Sequence, residues 1–225
     1  MPTLKEKMSY YTWVSYRRRT IDELLKKNSS LFRGVVLDIG GRNRGHFKKP
    51  VNKVEKWIFA DIEEKHYPDM VLDVMDMAGL DNESIDVINA TELFEHVVNP
   101  EQGLKECYRV LKPNGTIIIS MPFLYQIHAD PFDFQRWTDN KWKKVLRENN
   151  FEIEKFEIMG RFFTVLAESK RVLINSLPPI LKWSCYILFP IWDVMTWLDK
   201  SSVVKKHPVL GKYHGGYFII GTKNK

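Results

Sequence analysis

Between Pro122 and Arg136 the chain gathers the side chains best suited to chemistry: Tyr125, His128, Asp130, Phe132, Asp133 and Arg136. His128 is a candidate general base, because an unperturbed imidazole titrates nearest neutrality. Asp130 or Asp133 could orient it. Arg136 could hold an anionic group through two parallel hydrogen bonds, and Tyr125 and Phe132 could stack on a ring. A plainer alternative exists, in which Asp133 and Arg136, three residues apart, simply pair and brace a turn. A His/Asp metal site in the 128–133 loop is conceivable, but nothing in the spacing demands one, so no metal is expected.

A second chemical signal lies at Val35 to Asp61. An apolar run, Val35-Val36-Leu37-Asp38-Ile39, ends at Gly40-Gly41. After the basic segment Arg42-Asn43-Arg44, a second apolar run, Trp57-Ile58-Phe59-Ala60, ends at Asp61. A buried strand that leads into glycines lets backbone approach a ligand closely. An acid roughly 20 residues on can bind a ribose hydroxyl. A dinucleotide fingerprint would need glycine where Arg42 stands, so this stretch alone points to an α/β nucleotide-type site only modestly.

These residues need elements to position them. Apolar residues at helical spacing predict a leading helix over residues 9–28, with Arg17-Arg18-Arg19 as a basic patch. Strands are predicted at Arg33–Ile39, Trp57–Asp61, Asp69–Val74, Ile85–Ala90, Thr116–Met121, Phe151–Ile158 and Tyr217–Thr222. Helices are predicted at Pro100–Leu111, stopped by Lys112-Pro113-Asn114-Gly115, and at Asn140–Glu148 behind an N-cap at Thr138. Strands alternating with helices imply βαβ units and a mostly parallel sheet, hence a Rossmann-like α/β fold.

Residues 172–198 break the rhythm. They are apolar and aromatic, with Lys182 and Asp193 as their only charges. The length would suit a membrane span, but Pro178, Pro179 and Pro190 oppose one continuous helix. The expectation is two or three short helices within a helical apolar insert at 161–212. They would cap the site, form an oligomer contact such as a homodimer, or lie on a membrane surface.

At 225 residues the chain is expected to form a single domain. A 44% hydrophobic and 28% charged composition excludes a disordered chain. The net charge of +6 suits an anionic partner (a phosphorylated substrate, nucleic acid or an acidic membrane surface) or merely a basic surface. Cys107 and Cys185 lack metal or redox spacing, which suits a reducing, cytoplasmic setting. The first residues do not read as a secretory signal.

In order along the chain, these pieces resemble the class I S-adenosylmethionine-dependent methyltransferases over residues 33–160, with the last strand added. Asp38-Ile39-Gly40-Gly41 resembles the family's glycine loop. Asp61 resembles its ribose-binding acid, and Asp73-Val74 with Asp76-Met77 its adenine-contacting turn. Asn82 to Ile88, Thr91 to Val97, Cys107 to Gly115, and Arg136-Trp137-Thr138 leading into Asn149 to Glu152 follow its later motifs. The resemblance implies S-adenosylmethionine as cofactor, with contacts at Asp38, Gly40, Gly41, Arg42, Asp61, Ile62, Asp73, Val74, Thr91 and His96. His96 would lie near the cofactor's methionine end, or serve in helix-start packing. The family usually has glycines where Arg42 and Arg44 stand. Their guanidinium groups could meet the cofactor carboxylate or an acidic substrate, or face solvent.

The remaining histidines carry weaker expectations: His46 and His66 at the surface, His207 and His214 flanking the last strand, where His214 could face the site. The expected function is O-methylation of a small or carbohydrate-type acceptor, for instance a glycan carried on a lipid phosphate at the inner face of the membrane. A nucleic-acid methyltransferase ranks lower, because Asn89-Ala90-Thr91-Glu92 stands where amino-directed enzymes carry an Asn/Asp-Pro-Pro-aromatic motif. A non-catalytic interaction module on the same fold is the third reading.

Overall fold

Ser15 divides the N-terminal segment. In a computed structural model that describes residues 3–41, 46–129 and 131–224, the predicted helix over 9–28 is two helices, α1 (Leu4–Trp13) and α2 (Tyr16–Lys27). Ser15 is extended, and its hydroxyl accepts from the Arg18 amide at 3.0 Å, so it caps a new helix instead of continuing the old one. Helical periodicity across such a cap still looks unbroken in sequence.

The chain then runs through β1 (Gly34–Ile39), β2 (Val54–Asp61), β3 (Met70–Val71) and β4 (Ile85–Thr91). Next come α3 (Pro100–Val110), β5 (Leu111–Pro122), α4 (Asp139–Glu148) and β6 (Phe151–Ile158). It ends with α5 (Phe162–Ser176), α6 (Pro179–Cys185), α7 (Phe189–Leu198), α8 (Ser202–Lys206) and β7 (Gly216–Lys223). Among the described residues the strands form one seven-stranded sheet in the order β3-β2-β1-β4-β5-β7-β6. β1 to β5 are parallel, and β7 runs antiparallel between β5 and β6. This is the expected Rossmann-like α/β sheet.

Apolar burial on both faces explains the continuous hydrophobic runs of β1, β4 and β5. On one face Ile21, Leu24 and Leu25 of α2 pack on Val36, Val87, Ile118 and Phe218. On the other, Leu104 of α3 and Trp142 of α4 join Leu37, Ile88, Ile117 and Ile219. Caps set both helices: the Asn99 carboxamide accepts from the Gln102 amide before Pro100, and the Thr138 hydroxyl accepts from the Lys141 amide. Arg109 locks α3 to the segment before β4 through the carbonyls of Met77 and Leu80 and the side chain of Asn82.

Two expectations are revised. The third strand is two residues long, because Asp73 turns the chain: its carboxylate accepts from the Met75 amide at 2.8 Å and it bridges back to Asp76. Lys112 to Gly115 do turn, but inside β5. Leu111 pairs with Ile85 and Thr116 with Val87, so the segment bulges, with Asn114 at a left-handed φ of 61°.

The prolines break 172–198 as expected. Pro178 and Pro179 separate α5 from α6, and Pro190 begins α7. No helix among the described residues is long and apolar enough to cross a membrane.

Candidate functional site

The parallel strands deliver Asp38, Asp61 and Thr91 to their carboxyl ends, where ligands bind in open α/β sheets. Asp38 is buried. One carboxylate oxygen accepts from Asn89 Nδ2 at 2.7 Å and the other from Trp57 Nε1 at 3.0 Å, with Lys49 Nζ at 3.5 Å. Burial pushes its carboxyl up against the pull of these donors. Gly40 has a φ of 68°, a conformation that L side chains rarely adopt. A Cβ on Gly41 would collide with the Asp38 carboxylate. The turn after β1 is therefore backbone laid against a fixed acid.

At the end of β2, Asp61 is buried and accepts from the Glu63 amide at 2.9 Å. Its second oxygen is 3.1 Å from His66 Nδ1, so His66 is not the plain surface residue expected of it. Ile62 is exposed beside Asp61. Val74 is buried in the core, so its backbone is what it can present next to the Asp73 turn.

The residues expected on the acceptor side converge from two loops. His96 ends a short 3-10 turn, Phe94–His96, after β4. His128 lies in the loop after β5, and the two rings meet edge to face at 5.1 Å. Asp133 does both things proposed for it. Arg136 grips its carboxylate through both terminal nitrogens, bracing the turn. The same carboxylate accepts from the His128 amide at 2.8 Å and lies 3.1 Å from His128 Nδ1. Burial alone would raise the Asp133 pKa, but Arg136 and the His128 amide outweigh it and hold the carboxyl at about 2. Burial depresses His128, against the pull of Asp133. Arg42, Arg44 and Asp130 lie outside the described residues.

Three residues that sequence reasoning left without a role sit in this cluster. Arg17 of α2 is buried and pairs with Glu92, just past β4. It also covers the Tyr125 ring at 4.5 Å, so the face expected to stack on a ligand already holds a guanidinium. Glu92 adopts a left-handed φ of 55° and accepts from the Ser120 hydroxyl at 3.1 Å. Such backbone is held only when its surroundings over-determine it. Glu95 is fully buried between His96 and His128. Its one sequence signal was an acid inside an otherwise apolar turn. The His214 ring lies 3.2 Å from the Tyr217 hydroxyl.

Residues 35–119 match the family model described as "Methyltransferase domain". That stretch, which runs from β1 into β5, carries a methyltransferase domain. No curated protein matches it in sequence. Among solved structures, a SAM dependent methyltransferase from Archaeoglobus fulgidus superposes with a TM-score of 0.59 at 17% identity, covering 98% of this methyltransferase and 100% of that chain. The cyclase SpnF gives 0.58 at 14% identity, covering 91% and 80%. Phosphoethanolamine N-methyltransferase 2 from Haemonchus contortus, in complex with S-adenosyl-L-methionine, gives 0.56 at 14%, covering 92% of this chain and 53% of its own. At these identities the structures attest the fold. The cofactor is S-adenosylmethionine, and the residues fit it. The Gly40-Gly41 turn offers backbone free of side chains at the end of β1, and Asp61 brings a carboxylate to the end of β2, the groups a nucleoside ligand calls for.

Proposed function

We propose that this methyltransferase transfers a methyl group to an oxygen of a carbohydrate-type acceptor held at a membrane surface. The observation that carries the reading is the exposed apolar face of α6 and α7. Ile180 and Trp183 of α6, Ile187 in the turn between the helices, and Val194 and Trp197 of α7 are each about two-thirds exposed or more. Monomeric proteins rarely leave such a contiguous patch bare. Basic residues accompany it along the chain, Lys182 within α6 and Lys200, Lys205 and Lys206 beyond α7, a pattern that suits an anionic lipid surface.

The same helices connect to the site. Tyr11 of α1 donates to Asp193 of α7 at 2.5 Å, and the Tyr16 amide donates to Glu168 of α5 at 2.7 Å. One residue further on, Arg17 reaches Glu92 beside the acceptor cluster. A surface bound through α6 and α7 would thus lie on the helical layer that covers the strand ends.

S-adenosylmethionine supplies an activated methyl group, so the protein mainly aligns donor and acceptor. Asp38, Gly40, Gly41, Asp61, Asp73 and the backbone of Val74 hold the cofactor, Thr91 and His96 lie towards its reactive end, and residues 123–136 receive the acceptor. A hydroxyl acceptor must lose its proton, and His128, aligned by Asp133, handles it.

The test is methyl transfer from labelled S-adenosylmethionine to three acceptors: a lipid-linked glycan in anionic vesicles, the same glycan in solution, and RNA. Label in the vesicle-borne glycan, lost in the His128→Asn variant, supports the proposal. Label in RNA alone, or cofactor binding without transfer to any of the three, overturns it.

A further inference from the structure

Neither oxygen of the buried Glu95 carboxylate has a hydrogen-bond partner. A buried charge left in this way is costly, and native folds compensate it. Arg17 offsets part of the charge, but its Nη1 is engaged with Glu92. Two imidazoles face the Glu95 side chain instead. Nε2 of His96 lies 3.8 Å from Glu95 Oε1 and Nε2 of His128 lies 3.9 Å from it. Both separations exceed a hydrogen bond. Burial pushes the Glu95 carboxyl up, and a proton on it removes the charge but leaves both oxygens without a hydrogen-bond partner.

A cation between the three side chains would satisfy Oε1. Each of the three residues offers one ligand atom, and these atoms lie within 4.8 Å of one another. Metal–ligand bonds of about 2.1 Å place tetrahedral neighbours about 3.4 Å apart, so each imidazole closes on the carboxylate by roughly half an ångström, and the set as a whole by up to about 1.4 Å. The outer nitrogen of each ring is already tied down. His96 Nδ1 donates to the Phe132 carbonyl at 2.6 Å. His128 Nδ1 lies 3.1 Å from the Asp133 carboxylate, which Arg136 holds in turn. The Phe132 carbonyl fixes the His96 proton on Nδ1. At His128, Nδ1 faces both the Asp133 carboxylate and Arg136 Nη2 at 3.4 Å, and the tautomer that donates to Asp133 aims its Nε2 lone pair inward, as a ligating histidine requires. Lining up a ligand is a sufficient reason for Asp133 to sit behind His128.

We propose that Glu95, His96 and His128 bind a divalent transition-metal ion, whose open coordination positions receive an oxygen of the methyl acceptor. Two imidazoles and one carboxylate suit Zn²⁺, Mn²⁺ or Fe²⁺ better than Ca²⁺ or Mg²⁺. Three protein ligands leave room for water or a hydroxyl. The ion's contact with an acceptor rests on the methyltransferase reading; its binding does not. With the ion in place His128 acts as a ligand, and its part in handling the acceptor proton becomes holding the cation that acidifies the bound hydroxyl, which releases its proton to water.

The test is isothermal titration calorimetry of the full, chelator-stripped protein with Zn²⁺ and Mn²⁺, each variant checked for folding by thermal melting. One ion per chain is expected, with affinity reduced at least about 100-fold in Glu95→Gln and His128→Asn and unchanged in His207→Asn. Should the Glu95 variant fail to fold, Asp133→Asn keeps all three ligands and is expected to weaken binding about 10- to 100-fold. No binding by the stripped wild type, or affinity unaffected by these changes, overturns the proposal. Binding of S-adenosylhomocysteine, measured separately, tests the methyltransferase reading: its absence sinks that reading whatever the metal does.

Discussion

At the residue scale, Gly41 and Asp38 act as a pair. Adding a methyl group at Gly41 would push the Asp38 carboxylate away from Asn89 and Trp57. Each buried donor left unpaired costs about 1–3 kcal/mol. Gly41→Ala is therefore expected to weaken S-adenosylhomocysteine binding at least about tenfold, roughly 1.4 kcal/mol, by calorimetry. His214 yields a prediction in pH. Burial holds its pKa below 6.5 despite Asp139, while Arg161 and Lys143 press it the same way as burial, and its ring lies against Tyr217. A depressed histidine binds fewer protons folded than unfolded, so its contribution is present above pH 6.5 and is lost as pH falls through the folded value. The melting temperature is expected to fall on acidification below pH 6.5, and less steeply in His214→Gln. Asp38, Asp61, His128 and Arg136 were legible as candidates because their residue types and order carry the signal. Glu95 and Arg17 were not, because their importance lies in burial beside partners distant in sequence.

At the element scale, Arg171 ties three helices together. Buried in α5, it donates to the Tyr11 carbonyl at 2.6 Å and to the Val14 carbonyl at the end of α1. Its guanidinium covers Tyr16 at 4.4 Å and Phe189 of α7 at 4.5 Å. Arg171→Leu removes these bonds and also leaves buried Glu168 less compensated. The expected cost is about 2–3 kcal/mol, seen as a lower melting temperature and faster proteolytic cleavage within α1. Strand positions were legible from apolar runs, and α3 and α4 from their caps and periodicity. The break at Ser15 and the shortness of β3 were not. Both depend on one side chain bonding a backbone amide, which leaves hydrophobic periodicity unchanged.

For the molecule as a whole, the layer of α1, α2 and α5 to α7 joins the strand ends to the exposed apolar face. Replacing Trp183, Ile187 and Trp197 together by serine is expected to abolish flotation with anionic vesicles while leaving S-adenosylhomocysteine affinity unchanged. Equal flotation of the triple variant would detach that face from membrane binding. The sequence by itself determined the α/β fold, and the family resemblance carried by its ordered motifs implied the cofactor and the end of the sheet where a ligand is expected. Those follow from local patterns, namely buried runs, glycine turns and acids at strand ends, that survive in a linear order of motifs. Only the tertiary structure decided that Arg17 covers Tyr125, that His96 and His128 from separate loops face one buried carboxylate, and that the apolar segment keeps an open face. These are meetings between residues far apart in the chain, and no local periodicity or spacing encodes which of them the sheet brings together.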